Sequence, residues 1–142
     1  LAYLFDTDAI SELLRSRPLL EYVRWVRTLA RAEQFTSAVV VGELYQGAFR
    51  SSAAARHIAN IEKRILPAVT VIPYDIAVAR EFGRLQADLR AKGRVLADCD
   101  AQIAATALQH DLELVTGNIR HFARVPALRI NGVLAEARSA RD

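Results

Sequence analysis

Ala2-Tyr3-Leu4-Phe5-Asp6-Thr7-Asp8-Ala9-Ile10-Ser11-Glu12-Leu13-Leu14 opens the chain with a change of hydrophobic period that decides how the rest is read. The run from Ala2 to Phe5 suits a strand buried on both faces, whereas Ala9, Ile10, Leu13 and Leu14 recur at helical spacing. The stretch reads as a buried strand feeding a helix, with Asp6 at the strand's carboxyl end and Thr7 or Asp8 as the cap. Of the two acids flanking the helix start, Asp8 is the expected cap.

The same grammar repeats outward. Gln34-Phe35-Thr36-Ser37-Ala38 is a second strand, after which Val39 to Ala48 must turn helical although its valines alone favour a strand. Val69-Thr70-Val71-Ile72 is a third strand. Asp75 caps a helix from Ile76 to about Lys92, with Val78, Phe82, Leu85 and Leu89 buried and Gly93 as its stop. Leu112 to Thr116 is a fourth strand, and Leu128-Arg129-Ile130 a fifth at the sheet edge. Leu19–Ala32 and Ala53–Leu66 read as helices, the first carrying Trp25 into the core. Strands apolar on both faces and separated by helices predict an α/β fold, a mostly parallel sheet of about four or five strands flanked by helices. The expectation is a single domain over residues 1–142, with a core of about 2–130 and a peripheral helix or frayed tail at 131–142.

An apolar content of 52% with interspersed charge describes a globular chain, and no apolar run approaches the roughly 20 residues that span a bilayer. One cysteine, Cys99, rules out a disulfide framework and reads as a small packing residue. With no secretory pattern at the start, the expected setting is the cytoplasm. The net charge is +3, and Lys63 and Lys92 are the only lysines, so nearly every cation is an arginine. Arginine forks onto phosphate well, although a GC-rich genome yields the same bias. The composition permits a nucleic-acid partner without demanding one.

The chemistry lies in the acids. Asp98 and Asp100 stand at the mouth of the alanine-rich helix Leu96–Leu108, where a capping role is open to either. Glu43 interrupts an apolar run. In a parallel sheet ligands bind beyond the strands' carboxyl ends. Asp6, Glu43, the Asp98/Asp100 pair and Asn118 can all reach that one edge. Converging carboxylates repel, and a hard divalent cation bound through oxygen relieves them. Mg2+ fits best, with Mn2+ as a substitute, and zinc is not the expected metal, because a closed structural site would use cysteine or histidine ligands and the only cysteine is isolated. Such an ion suits hydrolysis of a phosphodiester by an activated water.

Four motifs, Phe5-Asp6-Thr7-Asp8, Thr36 to Leu44, Asp98 to Ala107 and Leu114 to Phe122, together resemble PIN-domain ribonucleases, and among them the VapC toxins of bacterial toxin–antitoxin pairs. The resemblance runs in order from the first strand to about Ile130. It implies a Mg2+-dependent endoribonuclease acting on RNA, commonly a homodimer, silenced by a VapB-like antitoxin whose tail enters the acidic pocket. By motif position Asp6 and Asp100 resemble the principal metal ligands and Glu43 the third acid. Asp98 is a supporting acid or a cap. Many relatives carry a further Asp where Asn118 and His121 stand, which favours one tightly held ion, with Asn118 free to hydrogen-bond a water or a phosphate. His121 reads as a proton shuttle or a turn residue, and Thr36 and Ser37 as substrate contacts or as the start of a helix. Arg15, Arg17, Arg94 and Arg120 are candidates for holding RNA.

Two other readings share these residues: an RNA-processing nuclease without a toxin role, and a binding module that kept the fold but lost the metal. A phosphoacceptor receiver fails because no lysine follows Thr116. A dinucleotide-binding domain fails because Asp6-Thr7-Asp8 stands where a G-x-G-x-x-G would be needed.

Overall fold

A computed structural model describes residues 1–141. Its sheet has five strands among these residues, all parallel, in the order β3-β2-β1-β4-β5. The strands are β1 (Tyr3–Phe5), β2 (Gln34–Ser37), β3 (Thr70–Ile72), β4 (Glu113–Val115) and β5 (Ile130–Asn131). The helices are α1 (Thr7–Leu14), α2 (Leu20–Arg27), α3 (Ala38–Arg50), α4 (Ala54–Asn60), α5 (Ile76–Ala91), α6 (Asp98–Gln109), α7 (Ile119–Phe122) and α8 (Val133–Arg141). The chain builds outward from β1 through β2 to β3, then crosses back to lay β4 on the other side of β1. That reversal opens a crevice beyond the carboxyl ends of β1 and β4, where such sheets bind ligands. Here Asp6 N–H donates to the Val115 carbonyl at 3.1 Å.

Local chemistry explains how the helices start. Ser37 accepts from Val40 N–H at 3.1 Å, and Val40, Leu44 and Ala48 fall four residues apart on one buried face. This cap and stripe outweigh the strand preference of the valines. Asp75 caps α5 as expected, and Gly93, at φ 67°, ends it where a left-handed residue is needed. Gln86, buried on α5, donates from Nε2 to the Leu96 carbonyl (3.1 Å) and to Asp98 Oδ1 (3.0 Å), which fixes the loop entering α6. Ala101, Ile103, Ala104, Ala105 and Ala107 of α6 are all within 1% of full burial, so the helix packs closely against the sheet and α5.

Four expectations need correction. Leu19–Ala32 is a shorter helix, α2, followed by a turn of 3-10 helix at Arg31–Glu33. Its fully buried residue is Tyr22, whose hydroxyl donates to the Ala9 carbonyl at 2.8 Å, while Leu20 is exposed. Trp25 packs against Tyr3, Phe5 and Tyr22 as expected. Ala53–Leu66 is helical but widens into a π turn over Ile61–Ile65, which buries Ile61 and Ile65. Cys99 is exposed, because the buried face of α6 starts at Ala101. Of the two forms expected for the tail, Val133–Arg141 takes the helical one and not the frayed one, and that helix, α8, is anchored in the core. Asn131 belongs to β5 and receives the Val133 N–H on its side-chain oxygen, and Leu134 of α8 is 0% exposed. No described helix is long and apolar enough to cross a membrane.

Leu134→Ala is therefore expected to cost about 2–5 kcal/mol in urea unfolding, the range for emptying a filled core position. A loss below about 1 kcal/mol, the scale of a surface substitution, would return α8 to the periphery.

Candidate active site

The site is assembled from the strand ends. Asp6 leaves β1, is 4% exposed, and its Oδ1 accepts from Ala9 N–H at 2.8 Å. Asp6, not Asp8, is thus the cap of α1. The reason is its extended backbone at the end of β1, which turns the carboxylate back over the first helical turn. Thr7, next in sequence, donates from Oγ1 to Glu43 Oε1 at 2.6 Å and so orients an acid from the second turn of α3. Thr36 is fully buried and donates to the Phe5 carbonyl at 2.8 Å, and Ser37 caps α3, so both of these residues serve the scaffold.

A cavity of about 300 Å³ brings together Asp6, Asp8, Glu43, Asp100 and Asn118, with Thr7, Ser11 and Ile103 completing its wall. Asp100 stands in the first turn of α6 and is half-buried, while Asn118 follows β4 at the N-cap position of α7 without a side-chain capping hydrogen bond. Asp98 is not in that wall: it is exposed and its carboxylate accepts from Gln86. His121 is exposed on α7, near enough to Asp100 for its charge to act on that carboxyl. Asp8 faces the cavity but is held by Arg138 of α8 in a two-point ion pair, Nη1 to Oδ2 at 2.7 Å and Nη2 to Oδ1 at 3.0 Å.

The electrostatics show unrelieved negative charge. Burial pushes the Asp6 carboxyl up to about 7, against hydrogen bonds from Thr116 and Ala9 and with the charges of Asp8 and Asp100 adding to the rise. Asp100 is also raised, first by burial, then by Glu43, with His121 pulling it back. Two carboxylates that resist ionisation beside a third are an oxygen-donor set that a cation would relieve. Among the described residues no three His, Cys, Asp or Glu side chains are close enough to hold a metal ion unaided. The donor set thus fits an ion held by one or two carboxylates and completed by water or phosphate oxygen, the usual manner of Mg2+.

A second, larger cavity of about 960 Å³ adjoins the first through Thr7, Ser11 and Glu43. Of the arginines named from sequence, only Arg15 lines it. Arg17, Arg94 and Arg120 are exposed elsewhere. Arg56, His57 and Arg64 line it as well, and sequence reasoning missed them because they come from α4 and the π turn, which no motif marks.

Comparison with known proteins agrees with this geometry. The PIN domain family profile matches residues 3–128. Ribonuclease VapC2 of Haemophilus influenzae is 36% identical over 129 residues, covering 91% of this chain and 96% of its own. The tRNA(fMet)-specific endonuclease VapC of Salmonella typhimurium is 31% identical over 130 residues, covering 92% and 96%. The crystal structure of DNA-bound VapBC from Salmonella typhimurium superposes with a TM-score of 0.83 at 30% identity, over 92% of this chain and 97% of that one.

The raised Asp6 carboxyl gives a signed pH dependence for the metal-free protein. Its folded value of about 7 lies above the ordinary 3.8, so between these values the folded chain holds a proton that the unfolded chain has lost, and stability falls as pH rises. Asp6→Asn keeps a capping oxygen and removes the charge. In EDTA, the stability of the unsubstituted protein should fall by about 2–4 kcal/mol relative to Asp6→Asn over this interval, in urea unfolding followed against pH. Parallel profiles would show that Asp6 is ionised at no cost.

Proposed function

The chain belongs to the PIN-domain family, and from that premise we propose that it is a Mg2+-dependent endoribonuclease, the toxin of a toxin–antitoxin pair, hydrolysing RNA phosphodiester bonds at the acidic cavity. The observation that carries this reading is the meeting of Asp6, Glu43 and Asp100, from three separate elements, in one cavity at the reversal point of the sheet. Asp6 and Asp100 would hold the ion, with Glu43 as the third acid beside them, Asp98 outside the set and Mn2+ an acceptable substitute. A bound Mg2+ supplies a water of lowered pKa and offsets charge on the phosphate.

The chain's own groups do the rest. Thr7 keeps Glu43 turned into the cavity by its 2.6 Å hydrogen bond. Asn118, at the rim and uncharged, can donate to a phosphate oxygen or accept from a water. Arg15, Arg56 and Arg64, along the adjoining cavity, offer cations to the phosphates that flank the scissile one. Ribonucleases with 31–36% identity over nearly the whole chain support RNA as the substrate. The Salmonella VapBC complex supports a VapB-like antitoxin as the partner. In this reading the 142 residues act as one nuclease domain, as a homodimer in the cytoplasm.

Cleavage of a mixed RNA pool by the purified protein tests the proposal, with Mg2+, with EDTA, and with Asp100→Asn shown to be folded. EDTA should abolish cleavage, and Asp100→Asn should lower it by at least about 100-fold, beyond the cost of losing a group one step removed from a metal. Equal cleavage by both proteins would contradict it.

A second expectation concerns Thr7. Thr7→Val removes the hydroxyl while keeping its shape, and should reduce cleavage by about 10–100-fold with the fold intact. Unchanged cleavage would show that Glu43 needs no such orientation.

A further inference from the structure

Asp8 is the one carboxylate of the acidic cavity that already has a full counter-charge. Arg138 reaches it from α8, 130 residues away in sequence, at 2.7 and 3.0 Å, and the same guanidinium extends to Glu12 Oε1 at 3.3 Å. Glu12 lies one helical turn beyond Asp8, is 1% exposed, and also accepts from Leu19 N–H at 3.1 Å. The backbone at the end of β4 closes over this arrangement: a Cβ on Gly117 would collide with both Arg138 Nη1 and Asp8 Oδ2. The ion pair is thus packed in place between α1, α8 and the residue before Asn118.

We infer that Arg138 is a positioning residue of the acidic site, one that clamps Asp8 away from the cation and thereby leaves the ion to Asp6 and Asp100, with Glu43 beside them. Asp8 lines the same cavity as those three, two residues from Asp6, so only the bidentate pair keeps its oxygens from turning inward. Released, Asp8 would present an uncompensated negative charge to the cavity, and the positive charge behind it would be gone. Both changes favour a divalent cation. This inference rests on the metal-site reading above.

A purely structural Arg138 would staple α8 to α1 and leave metal affinity alone, so Mn2+ affinity is the readout, followed as the free-ion electron paramagnetic resonance signal during titration. Arg138→Gln alone would leave buried Glu12 with only its 3.6 Å contact to the exposed Arg15 guanidinium, so it is combined with Glu12→Gln, which keeps an acceptor for Leu19 N–H. The pair should bind Mn2+ about tenfold more tightly than Glu12→Gln alone, and adding Asp8→Asn should cancel the gain. Gly117→Ala, which forces the ion pair apart without altering either partner, should tighten binding in the same direction and be reversed by the same Asp8→Asn. Unchanged affinity in the folded Arg138→Gln/Glu12→Gln protein, or a gain that survives Asp8→Asn, would overturn the inference. Failure of the unsubstituted protein to bind Mn2+, or binding indifferent to Asp100→Asn, would remove the metal reading itself and this inference with it.

Discussion

Carboxylates cannot be gathered out of water without something to answer their charge, and this constraint shapes the whole edge of the sheet. Five acids, Asp6, Asp8, Glu12, Glu43 and Asp100, sit within or behind one small cavity. The protein answers them unequally. Asp6 receives a backbone N–H of α1, Glu43 the hydroxyl of Thr7, and Asp8 and Glu12 share a guanidinium from the far end of the chain. Asp6 and Asp100 keep raised carboxyls, and that residual demand is what a metal-dependent nuclease needs.

The sheet order makes the gathering possible. Building outward from β1 to β3 and then crossing back to β4 leaves the carboxyl ends of β1 and β4 side by side, joined by the Asp6 to Val115 hydrogen bond. Asp6 leaves one strand of that junction and Asn118 follows the other. Glu43 and Asp100 are brought over the crevice by helices whose own stability lies elsewhere, in the Ser37 cap of α3 and in the alanine face of α6 packed against α5. The scaffold and the chemistry therefore divide the same short segments between them, residue by residue. At 36–38, Thr36 and Ser37 hold the strand end and the helix start, and the acid arrives six residues after the cap.

Much of this was legible in the chain. The strands, the α5 cap and stop at Asp75 and Gly93, and the parallel order of polar groups at one sheet edge follow from hydrophobic period and capping chemistry. The roles of neighbouring acids did not follow. Asp6 and Asp8 are both acceptable caps by residue type, and only the extended backbone at the end of β1 assigns the cap to Asp6. Asp98 and Asp100 differ by two positions on a helix, which turns one toward Gln86 and the other into the cavity. Arg138 was invisible because the sequence is rich in arginine and its partners lie 126 and 130 residues away. The tail reads in sequence as a peripheral helix or a frayed end, and its anchoring was invisible for the same reason: one buried leucine and one ion pair set its place, and neither makes a period.

Anomalous diffraction from crystals grown with Mn2+ tests the central claim most directly. The account predicts a single strong peak in the acidic cavity, within ligand distance of Asp6 or Asp100 oxygens, with Asp8 still paired to Arg138. A strong peak elsewhere, or a cavity without one under conditions in which the same crystals cleave RNA, would contradict it.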